Sequence, residues 1–424
     1  MRQSPDPSRK SEIPKRTAVS VTEARELILA SLPALGVETV GLREATDRVL
    51  AEDIAAERLI PPRDNSAMDG YALRAEDATD VPARLAIVEE IAAGHAPQRK
   101  LGPGEAARIL TGAAVPEGAD AVVMQEQTRR DGSEVILEES VSEGQHIRRA
   151  GSDVRPGTQV LAKGRGLRAA DIGMLAALGR TQISVVTRAR VAILATGDEL
   201  VEPDRLRDDG RIVSSNSYAL QAALLEAGAE PVLLGISRDE PELIAAAFRR
   251  ALRCDAVIST GGVSVGDRDW IKQVLAELGG DMRLWRVRMK PGAPLAYVVL
   301  DGRPVFGLPG NPVSSLVTFE QFVRPALLRM MGHTDVFRPV ERAQLSEDYR
   351  KPAGRAHFVR VRVDSREGRL HATPTGDQSS GVLLSMVQAN GLAFVPEDET
   401  WLRAGGEVPV IMLRRDDLRP EPGY

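Results

Sequence analysis

The chain has 424 residues, of which 43% are hydrophobic and 27% charged, with a formal net charge of −5. This length exceeds one ordinary hydrophobic core and predicts several domains. The negative balance gives no global attraction to nucleic acid, which argues against a nucleic-acid-binding protein. A single cysteine, Cys254, excludes an intrachain disulfide. Because no apolar run of about 18 residues and no signal-peptide pattern occurs, we expect a cytosolic protein without a membrane segment.

The N-terminal region predicts a tail followed by a helix. Residues 1–16 mix Pro, Ser, Arg and Lys with almost no apolar content, and we expect them to be disordered. Residues 21–36 have helical periodicity, with Thr22 as the expected cap.

Residues 56–150 change to short apolar runs between Gly, Pro and Asp turn signals. This pattern predicts a β-rich domain. Residues 151–187 return to a glycine-punctuated segment with a short helix over 169–178. We expect this segment to join residues 17–55 in one discontinuous linker domain.

Residues 188–336 alternate between apolar strand candidates and helical patterns. The strands are expected at 191–195, 232–236 and 256–259, and the helices at 216–228, 241–253 and 269–279. Such alternation is typical of βαβ units in a mostly parallel sheet. Asp301-Gly302 predicts a hairpin, and Asn311 followed by Pro312 predicts the start of a helix that ends at Gly332.

Short alternating runs in residues 337–424 predict a small C-terminal β domain. The expected fold class is therefore multidomain α/β plus β. Its centre is a three-layer αβα domain with a mostly parallel sheet, accompanied by the β-rich insertion, the discontinuous linker domain and the C-terminal β domain.

Acidic residues follow three of the predicted parallel strands. Glu199, Asp239 and the pair Asp267 and Asp269 each come shortly after such a strand. Because ligands bind beyond the carboxyl ends of strands in open α/β sheets, these carboxylates are expected to converge on one pocket. The alternative is that Asp239 and Asp269 only cap the helices that follow them.

The loop that contains Gly261 and Gly262 predicts an anion site. It lies between an apolar strand and a helical pattern, a geometry in which backbone N–H groups face a phosphate or another oxyanion. The acidic residues behind the glycines would repel a bare anion, so a divalent cation bridging carboxylate and phosphate is expected. Lys290, in a loop with two prolines and a glycine, is either a second anion-binding group or a solvated surface lysine.

Six segments of the chain resemble the MoeA-type molybdopterin molybdenumtransferases, a family that includes the C-terminal domain of gephyrin. They are DNSAMDGYA (64–72), TGAAVPEGADAVVMQEQ (111–127), ATGDEL (195–200), STGGVSVGDRDW (259–270), MKPG (289–292) and GLPGNPVSS (307–315). The resemblance implies a homodimeric cytosolic transferase of molybdenum cofactor biosynthesis. It implies that molybdate is inserted into adenylylated molybdopterin with Mg²⁺-dependent hydrolysis of the adenylate to AMP.

The resemblance also implies roles for individual residues. Asp239 and Asp269, with Asp267, would hold Mg²⁺, and Glu199 would orient water or the metal. The other implied residues contact substrate groups: Gly261, Gly262 and Ser264 would cradle phosphate, Lys290, Arg286, Arg360 and Ser380 would bind oxyanion or cofactor groups, and Asp69 and Thr111 would complete the cleft from the partner subunit.

The chain departs from this family at two positions. Arg286 stands where bacterial relatives often have lysine, and Ala293 stands where another lysine is usual. Arginine keeps the charge without being equivalent to lysine, whereas alanine removes a cation. Arg288 is the nearest basic residue in sequence that could substitute.

Two other functions remain open from the sequence. A molybdopterin adenylyltransferase, which could also be a partner of this protein, resembles only residues 188–332 and would have no use for the segments at 64–72 and 111–127. A gephyrin-like scaffold is the alternative from a different class.

Overall fold

The computed structural model describes residues 18–262 and 270–413. Its central unit is a six-stranded sheet whose strands follow the spatial order Glu230–Ser237, Arg190–Thr196, Ala256–Thr260, Arg303–Leu308, Pro294–Leu300 and Asp281–Arg286. The first four strands are parallel, and the hairpin strand Pro294–Leu300 is antiparallel to both of its neighbours. The predicted mostly parallel sheet is therefore present, together with the predicted hairpin at Asp301-Gly302.

Helices cover both faces of this sheet. Alternate residues of each strand point to opposite faces, so Val191 and Ile193 belong to one hydrophobic cluster while Ala192 and Leu194 belong to the other. The helices run over Ser215–Glu226, Pro241–Ala251, Trp270–Glu277, Pro312–Thr318 and Arg324–Met330, with a π-helical turn at Phe319–Val323 joining the last two. This arrangement leaves the carboxyl ends of the parallel strands open along one edge.

The first helix differs from the sequence expectation in three ways. It spans Val21–Leu29 and not 21–36, because Pro33 restricts the residue before it and the chain then enters the strand Val37–Gly41. Ser20, and not Thr22, is the cap, in a capping box with Glu23. Its buried residues join the core of the central unit, so the helix packs there and not with the discontinuous segment.

The two halves of the predicted linker domain meet in the structure. Val37–Gly41 pairs with Gln182–Val186, and Ile54–Ala55 pairs with Gln159–Leu161. The helix Ala169–Ala177 packs into the same hydrophobic cluster.

The intervening residues form a second six-stranded sheet, in the order Ala121–Met124, Gly70–Leu73, Glu105–Ile109, Ala83–Ile91, Glu134–Leu137 and Thr128–Asp131. Small two-stranded pairings flank it, including Asn65–Ser66 with Ile147–Arg148. The β-rich character predicted for this part of the chain is confirmed.

The C-terminal strands close into a barrel. Ala356–Arg366 pairs with Arg369–Pro374 on one side and with Gly391–Val395 on the other, and Val340–Leu345 and Glu407–Met412 complete the ring. A short strand of the central unit, Met289–Lys290, adds to this barrel by pairing in parallel with Ala356 and His357. The short helix Leu383–Gln388 lies beside the barrel.

In the part of the chain that the structure describes, no helix is both long and apolar enough to cross a lipid bilayer.

Two glycine-to-alanine substitutions should change stability in opposite directions. A Cβ at Gly70 would overlap the carbonyl oxygen of Val123 on the paired strand, so Gly70→Ala should lower the free energy of unfolding by about 1–3 kcal/mol. A Cβ at Gly173, inside an exposed stretch of helix, meets no atom within 4 Å. Gly173→Ala should therefore raise the free energy of unfolding by about 0.5–1 kcal/mol.

Urea unfolding followed by circular dichroism measures both effects, with each variant serving as the other's control for the added methyl group. Equal shifts of the two midpoints, or a stabilised Gly70→Ala variant, would contradict the close approach of the two strands.

His357 should make the folded state sensitive to acid. Burial lowers its pKa to about 4, and the nearby cations Lys290, Lys351 and Arg355 contribute. The ordinary pKa of 6.5 applies in the unfolded chain, so protonation favours unfolding. The free energy of unfolding should fall as the pH drops from 6.5 towards 4, by up to about 3 kcal/mol from this residue.

The measurement is the urea midpoint at about pH 7.5 and about pH 5 for wild type and for His357→Asn, whose amide oxygen can still accept from the Tyr349 hydroxyl that now lies 2.9 Å from Nδ1. The variant should lose less stability between the two pH values than wild type. His371→Asn, on the neighbouring strand, controls for the loss of a histidine as such. An unchanged pH dependence in His357→Asn would refute the assignment.

Candidate functional site

A cavity of about 880 Å³ opens at the carboxyl ends of the parallel strands. Its walls come from four places: the strand ends after Thr196 and Thr260, the loop Lys290–Pro294, the start of the helix at Pro312, and the C-terminal barrel. The central unit and the barrel therefore share one site, at the sheet edge that the sequence predicted.

One end of the cavity is acidic. Glu199 and Asp239 both line it, and they follow neighbouring parallel strands. The surrounding protein partly desolvates the Asp239 carboxyl and raises its pKa, and the negative Asp198 and Glu199 raise it further. A cation bound at this end would relieve both effects.

Asp239 does not cap the helix that follows it. The N-cap residue of that helix is Glu240, and it makes no side-chain capping hydrogen bond. Among the residues that the structure describes, the one hydrogen bond at Asp239 is donated by its backbone N–H to the Asp198 carboxylate at 3.3 Å. The capping alternative is therefore wrong for Asp239.

The glycine pair lies between the strand Ala256–Thr260 and the cavity. Gly261 and Gly262 have φ angles of +91° and +64°, and a Cβ at Gly261 would lie 2.5 Å from the Thr196 carbonyl oxygen. Only glycine fits both conditions. The neighbouring Thr196 hydroxyl is buried and has no hydrogen-bond partner among the described residues, so this corner holds an unused donor.

Asn216 is a site residue that the sequence reasoning missed. Its Nδ2 donates to the Thr260 hydroxyl at 2.9 Å and to the Gly310 carbonyl at 2.8 Å, and it lines the cavity. It ties together the ends of two adjacent strands. The sequence signal that could have identified Asn216 as a site residue is an Asn in the first turn of a predicted helix that starts near the end of a strand.

Lys290 is exposed to the cavity on a loop that packs tightly against a helix. Gly292 has a φ of +95°, and a Cβ there would overlap the Thr318 hydroxyl and approach the Ser314 carbonyl oxygen to 3.3 Å. This close contact holds the loop on the helix that begins at Pro312. Lys290 is exposed, lines the cavity and has no ion pair among the described residues, a position that is compatible with anion binding and with a solvated lysine.

Ser380 reaches the cavity from the barrel side. Its hydroxyl accepts a hydrogen bond from Asn311 Nδ2 at 2.9 Å, and its carbonyl accepts one from Val313 N–H at 3.1 Å. Asn311 is the N-cap residue as predicted, but its side chain makes no capping bond, and its Nδ2 donates to the Ser380 hydroxyl.

Arg360 lies beneath the cavity and not in its wall. The residue is 1% exposed, and its guanidinium donates to the Ser385 hydroxyl and to the carbonyl oxygens of Asp377 and Ser379, each at 3.1 Å. These bonds hold the loop that carries Ser380. Direct binding of an oxyanion by Arg360, as implied by the resemblance, does not fit this burial.

Arg355, which the sequence reasoning also missed, lines the cavity together with Lys290 and Ala293. Arg288, the substitute expected from sequence proximity, is engaged elsewhere: it donates to Glu397 at 2.7 Å and to the Ala18 carbonyl, and it is absent from the cavity wall. The basic residue that shares the cavity wall with Ala293 is therefore Arg355, which is 62 positions away in sequence and precedes the first long strand of the barrel.

Asp69 and Thr111 form a separate pair in the β-rich unit. The Thr111 backbone N–H and hydroxyl both donate to Asp69 Oδ1 at 2.7 Å and lower the pKa of that carboxyl. Both residues are exposed, and neither lines the cavity of the chain described.

Arg286 is exposed on the edge strand opposite Pro294 and is also outside the cavity wall.

Three predicted site residues, Ser264, Asp267 and Asp269, lie outside the described residues. Within the described ranges, no three His, Cys, Asp or Glu side chains are close enough together to hold a metal ion.

Family models match nearly the whole chain. The model "MoeA N-terminal region (domain I and II)" matches residues 19–179, "Probable molybdopterin binding domain" matches 192–329, and "MoeA C-terminal region (domain IV)" matches 342–413. The matches therefore include the β-rich unit and the barrel as well as the central sheet.

Individual relatives agree with these models. A molybdopterin molybdenumtransferase from Nostoc sp. is 39% identical over 408 residues, covering 93% of this chain and 94% of the relative. The one from Bacillus subtilis is 35% identical over 412 residues, covering 95% and 96%. The crystal structure of the molybdopterin biosynthesis MoeA protein from Pyrococcus horikoshii superposes with a TM-score of 0.81 at 34% identity, over 93% of this chain and all of that one. The chain belongs to the MoeA family of molybdopterin molybdenumtransferases.

Proposed function

We propose that this protein inserts molybdate into adenylylated molybdopterin, releasing AMP and the molybdenum cofactor. The observation that carries the proposal is that one cavity has two carboxylates, Glu199 and Asp239, after the first two strands of the sheet order and the cation Lys290 beside the last two. A substrate with a phosphoric anhydride and an incoming oxyanion need these two environments at once. The names of the relatives supply the chemistry that the cavity would serve.

The acidic end fits Mg²⁺ as an incomplete protein site. Two carboxylates are a common protein contribution to Mg²⁺, whose remaining ligands are water and substrate phosphate. The raised pKa of Asp239 reflects partial burial of the carboxyl and, after that, the negative charges of Asp198 and Glu199, which a bound cation would counter. Glu199 and Asp239 would hold the ion, with Asp267 and Asp269 as further proposed ligands. Bound there, Mg²⁺ would neutralise charge that develops on the phosphate oxygens.

The remaining wall binds and orients the substrates. Gly262 would present its backbone N–H group to phosphate, which the absence of a Cβ allows to approach closely, whereas the Gly261 N–H already donates to the Leu308 carbonyl oxygen at 3.2 Å. Lys290 and the Ser380 hydroxyl would bind oxyanion oxygens. Arg360 would position the loop of Ser380 and not touch the substrate.

Two alternatives have less support. An adenylyltransferase would need only the central sheet, whereas the family matches also cover residues 19–179 and 342–413. A scaffold would not require a cavity with unpaired charges of both signs.

We also infer a cytosolic homodimer in which Asp69 and Thr111 complete the site of the partner subunit. Their exposure, and their position outside this chain's own cavity, support that arrangement.

The domain limits that we propose are 17–55 with 151–187, 56–150, 188–336 and 337–424, with the helix Val21–Leu29 reassigned to the third unit. Helix packing on both faces of the central sheet supports a three-layer description of that unit.

The function is tested by incubating the purified protein with adenylylated molybdopterin, molybdate and Mg²⁺. AMP and a cofactor that reconstitutes a molybdoenzyme should form only when molybdate is present. Incubation with molybdopterin and ATP provides the contrast: adenylylation without any molybdate requirement would identify an adenylyltransferase.

Asp239→Asn should raise the Mg²⁺ concentration needed for half-maximal activity by about tenfold or more, since it removes one charged ligand. Because Asp239 caps no helix, the melting temperature should stay within a few degrees of wild type.

Glu242→Gln, three residues further on and exposed, is the matched control for loss of a negative charge and should keep the wild-type Mg²⁺ dependence. An Asp239→Asn variant with wild-type Mg²⁺ dependence would remove this residue from the metal site.

A further inference from the structure

We propose that Arg355 is the second cation of the oxyanion site and that it binds a tetrahedral dianion jointly with Lys290. The inference rests on the proposed function for the identity of that dianion, molybdate. It assigns to the C-terminal part of the chain a charged contact with substrate in addition to that of the Ser380 hydroxyl.

Backbone pairing places Arg355 at the cavity. Ala356 pairs with Met289, and its N–H donates to the Arg288 carbonyl at 3.0 Å. The residue before Ala356 therefore lies beside the loop Lys290–Pro294, and Arg355 joins that loop in the cavity wall. The position is set by main-chain hydrogen bonds, so it does not depend on a flexible surface loop alone.

The charge of Arg355 is available. Among the described residues no acidic side chain lies within the 4 Å of an ion pair with it, whereas Arg288 nearby is held by Glu397. Of the described residues in the cavity wall, Lys290 and Arg355 carry positive charge, and Glu199 and Asp239 carry negative charge. Binding an anion at Arg355 thus requires no ion pair to be broken.

The two cations match the charge of a tetrahedral dianion. A guanidinium donates two parallel hydrogen bonds to two oxygens of one oxyanion, while the ammonium of Lys290 acts as a point charge. Ala293 lies in the wall of the same cavity of about 880 Å³ and contributes only a methyl group, so it adds no third cation to Lys290 and Arg355. We therefore expect a clear preference for dianions over monoanions of the same shape.

The test measures tungstate binding by isothermal titration calorimetry, with perchlorate as the tetrahedral monoanion, and molybdate dependence in the activity assay. Arg355→Gln should weaken tungstate binding and raise the KM for molybdate by about 10- to 100-fold, with a smaller effect on the KM for adenylylated molybdopterin. Arg355→Lys should recover part of the loss, since charge returns without the bidentate geometry. Perchlorate should bind weakly to every variant.

Arg362→Gln removes the same charge from an exposed position on the strand that begins directly after Arg355, and it should behave as wild type. Tungstate binding that is equal in Arg355→Gln and Arg362→Gln, or undetectable in wild type at millimolar concentration, would overturn the inference.

The outcome separates this inference from the proposed function. Arg355-dependent tungstate binding by a protein that releases no AMP would reject the function and leave the anion site. If wild type turns over and Arg355→Gln leaves the KM for molybdate unchanged, the proposed function stands and the anion site at Arg355 is rejected.

Discussion

The cavity depends on one short contact, the parallel pairing of Met289–Lys290 with Ala356 and His357. This pairing joins the central sheet to the barrel in register, so that Lys290 and Arg355 face the same space. Burial of Met289 and Ala356 on either side of the pairing excludes water from its hydrogen bonds. The low pKa of His357 belongs to the same contact, because burial disfavours the charged imidazole and the neighbouring cations disfavour it further.

The parts of the fold that short-range patterns specify were predictable. Apolar runs of four or five residues marked the parallel strands, and the turn residues after them marked the sheet edge where Glu199, Asp239 and the glycine pair lie. Helix limits were less well predicted: the first helix ends early, since Pro33 and the following strand interrupt the apolar periodicity.

The parts that depend on long-range contacts were not predictable from one sequence. Arg360 lies within the strand Ala356–Arg366 and Arg355 directly before it, yet one is buried on backbone carbonyls and the other lines the cavity. Strand alternation shows which residues of a strand share a face, but it reveals neither which face meets the central sheet nor where the residue before the strand lies. Only the pairing with Met289 decides this, and that pairing spans more than 60 residues. For the same reason Arg288, adjacent in sequence, was the wrong substitute for the missing lysine.

The charges of the cavity are held apart at a cost in stability. Glu199 and Asp239 lie at one end, Lys290 and Arg355 at the other, and among the described residues none of these four forms an ion pair within 4 Å. Pairing them with each other would stabilise the folded chain but would also neutralise both ends. The raised pKa of Asp239 reflects first its partial burial and then repulsion from Asp198 and Glu199. Such strain is compatible with folding because the glycine pair, Asn216 and the main-chain pairing at Met289 fix the backbone independently of these side chains. A site preorganised in this way lets ligand binding supply the missing counter-charges, so the protein should gain stability when a cation and an oxyanion bind together.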